Sequence, residues 1–326
     1  MPEIEITEIP PLSAGEQSLL DLHSVVNILN VLRCELVVLG LTVADHETFF
    51  NGGIAVCDRL LLSLHDRAAA LEQAAHIEEH EQTVFDELDA KLAHLLVAPP
   101  AGEVAESTAN LRTVFAILKV RAREILARAA APDRWEEFDI EQLRAGFLGV
   151  FAAIEKNSKG RYRILYNAAC QERNDYYVDL KIEAAAERTV RMPPVFHDVM
   201  RDLIANARKY TPPGGHITAA LFQDADCIRF LVEDTGRGIP PAEVAQVVQF
   251  GKRASNVADV RTMGGGFGLT KAFLVTKQFG GRFWIASGMG QGTRIRIWLP
   301  CPAAARARAA GFAGRSADAD PSPPAG

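Results

Sequence analysis

The chain has 326 residues, of which 48% are hydrophobic and 23% charged, with a formal net charge of −6. That length and composition suit a globular protein with two cores, and the acidic balance excludes a surface built to grip a nucleic-acid backbone. The five cysteines (Cys34, Cys57, Cys170, Cys227, Cys301) form no CxxC pair, so reduced thiols in a cytoplasm are expected rather than a disulfide framework or zinc site.

Residues 1–12 read as an extended N-terminus. From Ser13 the pattern is helical, with Leu19, Leu22, Val26, Leu29 and Leu36 on one face at three- and four-residue steps. Asn51-Gly52-Gly53 reads as the break. A second helix is predicted over 54–97, stopped by Ala98-Pro-Pro-Ala-Gly102, and a third over 103–130, ending at Pro132. Two long helices joined by a turn form a hairpin, and hairpins of this kind pair with a copy of themselves into a four-helix bundle. A homodimer built on residues 13–133 is therefore expected, with the third helix packed outside or leading onward. The apolar run 36–43 is too short to span a membrane and no signal-peptide pattern is present, so no membrane insertion is expected.

From Trp135 the texture changes. Strands are predicted over 162–166, 177–182, 217–222, 228–233, 282–286 and 294–299, and helices over 141–154, 194–209, 241–248 and 270–279. Residues 134–300 thus read as an α/β sandwich, a mixed sheet with helices over one face. The fold class of the whole is α+β. The Ala/Arg/Pro/Gly-rich segment 301–326 reads as a disordered tail.

Four segments in the second half carry chemistry: Asp202 to Thr211, Asp234-Thr-Gly236-Arg-Gly238-Ile239, Gly264-Gly-Gly266-Phe267-Gly268-Leu269, and Gly290-Gln-Gly292-Thr293. A buried adenine needs an acceptor for its exocyclic amine, and Asp234 supplies a carboxylate. Gly236 and Gly238 let the backbone approach a base closely. Asn206, with a neutral oxygen on a helix, suits Mg2+. The run Gly264, Gly266, Phe267, Gly268 leads into a helix near Leu269, whose free N–H groups receive phosphate oxygens. Lys209, with Lys252 or Arg253, adds positive charge. Any one segment alone is an ordinary loop; four in order describe a pocket for Mg-ATP.

These segments resemble the nucleotide-binding boxes of the histidine-kinase ATPase domain, the Bergerat fold shared with Hsp90, type II topoisomerase and MutL families. The resemblance covers about residues 136–300. Lys209-Tyr210-Thr211-Pro212 and the closing strand into Pro300 look like two-component sensor kinases in particular. It implies nucleotide contacts from Asn206, Lys209, Tyr210, Asp234, Gly236, Gly238, Ile239, Gly264, Gly266, Phe267, Gly268, Leu269 and Thr293, and metal contacts from Asn206 and Asp202. Asp202 departs from the usual asparagine or glutamate, and a metal-binding or base role is expected of it. Phe267 stands where leucine is usual. The segment 250–263 is expected to close as a lid.

His23 is the expected phosphate acceptor. Asn27, Asn30 and Cys34 make a polar stripe beside the apolar one, and Leu22-His23-Ser-Val-Val-Asn27 resembles a divergent H box. Ser24 replaces the usual acidic neighbour, so a water or a carboxylate such as Asp21 must activate the ring. Asn27 is expected to orient a water for the reverse, phosphatase direction. His65, His76 and His80 are the competing histidines, of which the His76/His80 pair reads as surface, and His197 reads as packing at a helix start or lining the pocket. The resemblance implies a soluble, cytoplasmic histidine protein kinase that takes phosphate from ATP and passes it to a response-regulator receiver domain, with a separate sensory protein as a further partner. The rival readings are a serine/threonine kinase of the anti-sigma type and a non-catalytic dimeric scaffold with a decayed ATP domain.

Overall fold

The computed structural model describes residues 1–95, 101–185, 188–260 and 265–302. The predicted tail 301–326, apart from its first two residues, and Gly264 lie outside the described residues. The chain divides into two compact units: one is Pro11–Pro132, the other Met1–Pro10 with most of the chain from Asp133 onward.

The helical unit opens with α1 (Ala14–Ala44), held by a reciprocal cap in which Glu16 N donates to Ser13 Oγ and Ser13 N to the Glu16 carboxylate. It ends at Asp45, in the left-handed region at φ 51°, before the predicted break. There the chain folds back so closely that a Cβ on Gly40 would lie 2.7 Å from His46 O. Asn51-Gly52-Gly53 does not break a helix; it begins α2 (Asn51–Ser63). The reason is tertiary. The Glu87 carboxylate accepts from Gly52 N at 3.0 Å and from Gly53 N, and a Cβ on Gly52 would strike it at 2.8 Å. These N–H groups would otherwise be unsatisfied at a helix start.

The long second helix is interrupted twice, giving α3 (Arg67–Ala75) and α4 (Ile77–Ala93). Asp66 caps α3 by accepting from Ala69 N at 2.9 Å. The breaks turn Leu60, Leu64, Ala70, Ile77, Val84 and Leu88 into one core. The third predicted helix, α5 (Ala101–Ala130), packs along α1, so α1 has a long partner within its own chain in addition to α2. Leu32, Leu36 and Leu39 of α1 and Leu111 and Phe115 of α5 are fully buried. α1 is long and apolar enough to cross a membrane by length and composition, a test that a buried core helix also passes. Within this unit its Leu20, Leu22, Val25, Leu29, Leu32, Leu36 and Leu39 are buried.

The second unit is a seven-stranded mixed sheet. Its strands are β1 (Glu3–Ile6), β3 (Ile164–Leu165), β4 (Tyr176–Ala184), β6 (His216–Gln223), β7 (Cys227–Asp234), β8 (Arg282–Ser287) and β9 (Thr293–Pro300), in the order β1-β8-β9-β7-β6-β4-β3. β3–β4 and β4–β6 run parallel and the other neighbours antiparallel. A separate ribbon pairs β2 (Glu136–Asp139) with β5 (Thr189–Met192). Alternate residues Ile217, Ala219, Leu221, Phe230 and Val232 are buried, and α6 (Ile140–Asn157), α7 (Pro194–Tyr210) and α8 (Gly268–Gln278) pack against the sheet.

β1, read from sequence as merely extended, is one of the two edge strands. Glu3 and Glu5 pair with Arg296 and Arg282, whose guanidinium groups also lie over the Trp284 ring. The predicted helix at 241–248 is instead a 3-10 turn (Pro241–Glu243) followed by irregular turns.

Candidate functional site

α7 presents two faces. Phe196, Val199, Met200, Leu203, Ile204 and Ala207 are buried, which leaves Asp202, Asn206 and Lys209 at i, i+4 and i+7 on a second face. The helix ends where Thr211 Oγ1 donates back to Ala207 O at 2.7 Å. Tyr210 O then accepts from Arg237 N at 3.2 Å, which ties the end of α7 to the loop after β7.

That loop is defined by close approach. Asp234 ends β7 opposite Thr293 and accepts from Gly236 N at 2.8 Å. A Cβ on Gly236 would lie 2.6 Å from both Tyr210 O and Asp234 Oδ1. Gly238 (φ 68°) would drive one to 1.8 Å from Gly288 O, and Gly292 (φ 80°) to 1.8 Å from Asp234 O. Only glycine fits either position. Ser287, which the sequence reading missed, binds the pieces: its hydroxyl receives Ile239 N at 2.8 Å and reaches Gly292 O at 2.8 Å and Thr293 Oγ1 at 2.9 Å. A serine beside a glycine-rich turn gave no separate signal.

Asp234 is 8% exposed. Burial pushes its carboxyl up to about 6, partly opposed by hydrogen bonds from Gly236, Thr293 and Thr211. At neutral pH the group is an ionised acceptor in a poorly hydrated place.

The third segment meets α7. A Cβ on Gly268 would come 2.9 Å from Asn206 Nδ2, so the start of α8 lies on the Asn206 amide. Gly266 (φ 80°) brings the backbone near Lys252 O. Phe267 is the N-cap of α8 and makes no side-chain cap bond. Its ring stacks on Phe250, centroids 4.7 Å apart, which accounts for an aromatic where leucine is usual. Thr270 Oγ1, in the first turn of α8, is buried with no hydrogen-bond partner. An orphaned hydroxyl at a helix start beside close-packed glycines fits a site that takes an oxygen-rich ligand.

Of the expected cations, Lys209 is half-buried, and burial, then nearby Arg253, pushes it down to about 8. Arg253 is committed to Val257 O at 2.7 Å and Val260 O at 2.9 Å. In the expected lid segment, Ala254 and Val257 are buried and Glu243 accepts from Ser255 N. Asp202 is engaged by Lys271 of α8 at 3.0 Å, a partner that sequence reasoning missed.

In the helical unit His23 lies on α1, half-buried, with Nδ1 3.4 Å from Leu20 O. Asp21, offered as its activating carboxylate, pairs with Arg67 at 2.9 Å and receives Gln17 Nε2. His76 binds Glu79 at 2.9 Å, whereas His80 is half-buried and its pKa is lowered mainly by burial, so only the first behaves as a surface residue. His197 packs between the Phe138 and Phe147 rings rather than facing the glycine loops.

Residues 193–303 match the family described as histidine kinase-, DNA gyrase B-, and HSP90-like ATPase. Among curated proteins, the adaptive-response sensory kinase SasA of Synechococcus elongatus is 37% identical over 102 residues, which is 31% of this chain and 26% of that protein. The circadian input-output histidine kinase CikA of the same organism is 28% identical over 241 residues, covering 69% of this chain and 30% of its own length. The chain thus spans about a quarter to a third of these relatives. Among solved structures, the mycobacterial sensor histidine kinase MprB aligns with 51% of this chain and 97% of its own at 21% identity and a TM-score of 0.37. Residues 193–303 thus form a domain of the histidine kinase-, DNA gyrase B-, and HSP90-like ATPase type, and the chain is similar over parts of its length to sensor histidine kinases.

Proposed function

We propose that this chain is a histidine protein kinase that binds Mg-ATP in the second unit and phosphorylates His23. One observation carries the reading: Asp234, Gly238 and Gly292 lock into a single cradle, and Asn206 meets the start of α8 at Gly268. The ionised Asp234 accepts from the adenine amine. Tyr210 and Ile239 border the cradle, and Thr293 braces it. The N–H groups opening α8, with Lys209, receive the phosphates. Asn206 would hold a magnesium ion, which would supply charge neutralisation on the phosphate oxygens.

A proton on His23 Nδ1, directed at Leu20 O, leaves the lone pair on Nε2. Nε2 then attacks the γ-phosphorus in line: an N–P bond forms, the bond to the β,γ-bridging oxygen breaks, and ADP leaves. The phosphoryl group passes next to an aspartate of a receiver domain. Asn27, one turn along α1, orients a water for the reverse direction. Exposed Val31, Val38 and Leu41 on α1 and Ile117 and Val120 on α5 support a homodimer of the helical unit. Separate sensory input and a cytoplasmic location belong to the same reading.

Incubation with γ-labelled ATP tests this. His23→Ala is expected to bind nucleotide but take no label, and Asp234→Asn to lose both. Acid-stable label refutes the histidine assignment and favours the serine-kinase rival, whereas acid-labile label persisting on His23→Ala refutes His23 as the acceptor and leaves the ATP pocket intact.

A further inference from the structure

Among the described residues, Asp175, Asp234 and Lys271 are the buried charged side chains. Asp175 is held by Arg163 and Asp234 belongs to the cradle. Lys271 stands in α8 beside Thr270, Ala272, Phe273 and Val275, all buried, with 6% of its side chain exposed. Its ammonium lies 3.0 Å from Asp202 Oδ2, and Asp202 itself is 18% exposed.

The geometry of this pair is fixed by a second contact. Gly268 of α8 meets Asn206 of α7, while Lys271, three residues on, meets Asp202, four residues back. The two helices therefore run antiparallel here. The ion pair sits one turn, about 6 Å along α7, from the Asn206 amide. A lysine on a helix leans toward the N-terminus, so this ammonium leans toward the end of α8 that faces Asn206.

We infer that Lys271 is a positioning residue of the nucleotide site and the standing counter-ion of Asp202. It holds α7 against α8, occupies the place beside Asp202 that a divalent cation would take, and leaves the metal to Asn206. The inference rests on the nucleotide reading above and reverses the sequence-based expectation that Asp202 is a metal ligand or base. A carboxylate neutralised by a buried ammonium offers a hard cation little, because a second positive charge there is repelled at short range. Removing Lys271 takes this ammonium away from a carboxylate one turn from Asn206, and a carboxylate beside an amide oxygen is a ligand set that Mg2+ accepts.

The test measures AMPPNP binding to the full chain, by displacement of a fluorescent nucleotide, in Mg2+ and in EDTA. The readout is the ratio of the two affinities. Asp202→Asn is expected to keep the wild-type ratio within about twofold, and Lys271→Met to raise it by about fivefold or more. Lys271→Arg should restore the wild-type ratio, as should the neutral double variant Asp202→Asn/Lys271→Met, which also controls for the folding cost of a half-buried carboxylate deprived of its Lys271 partner. A ratio that collapses toward one in Asp202→Asn makes Asp202 a metal ligand and overturns the inference. So does a ratio unmoved in Lys271→Met. Absence of any nucleotide binding to the wild type defeats the site reading itself, a different outcome from either.

Discussion

Asp234→Asn separates what this carboxylate costs the fold from what it does for a ligand. The group titrates near 3.8 when unfolded and near 6 in the folded protein, because burial opposes its charge. The folded state therefore holds the proton more tightly. Its contribution to stability is full below about pH 3.8 and is lost as pH rises to about 6, where both states become ionised. A shift of about two units at about 1.4 kcal/mol each makes that loss about 3 kcal/mol. Asparagine keeps the acceptor for Gly236 N and carries no charge. Asp234→Asn is thus expected to be more stable than wild type at pH 8 by about 2 kcal/mol, and close to it at pH 4. Urea denaturation of both proteins at several pH values measures the difference. A gap independent of pH, or an asparagine variant less stable at pH 8, refutes the reasoning.

Gly292→Ala must place a methyl group 1.8 Å from Asp234 O at a positive φ; it should cost about 3 kcal/mol by denaturation and weaken nucleotide binding at least about tenfold. Lys209, pushed down to about 8, loses its charge as pH rises through that value. Nucleotide affinity should fall about tenfold between pH 7 and 9, and Lys209→Met should flatten the profile. Glu87→Ala removes the acceptor of Gly52 N and Gly53 N. Thermal melts should show it about 2 kcal/mol less stable, with Glu87→Gln losing less than half as much.

Strands β4, β6, β7, β8 and β9 were legible because alternation and flanking turns mark them locally. β1 was not, since four residues become a strand only by pairing with β8, far along the chain, and by the ion pairs of Glu3 and Glu5. The helix starting at Asn51-Gly52-Gly53 was misread for a similar reason: the cap that stabilises it comes from Glu87, in another helix. The uniform helical composition of 54–97 hid two breaks that only the shared core demands. In the site, glycine spacing predicted the cradle residues, because their close approaches are backbone events. Lys271 escaped notice because a lysine in a helix normally reads as solvated. The signal was the unusual Asp202, an acid in need of a base.

Titration calorimetry of the wild-type chain with ATP in magnesium tests the nucleotide pocket most directly. Saturable heat at one site per chain, reduced at least about tenfold in Asp234→Asn, is the predicted result. No heat with ATP under conditions where the protein is folded contradicts it.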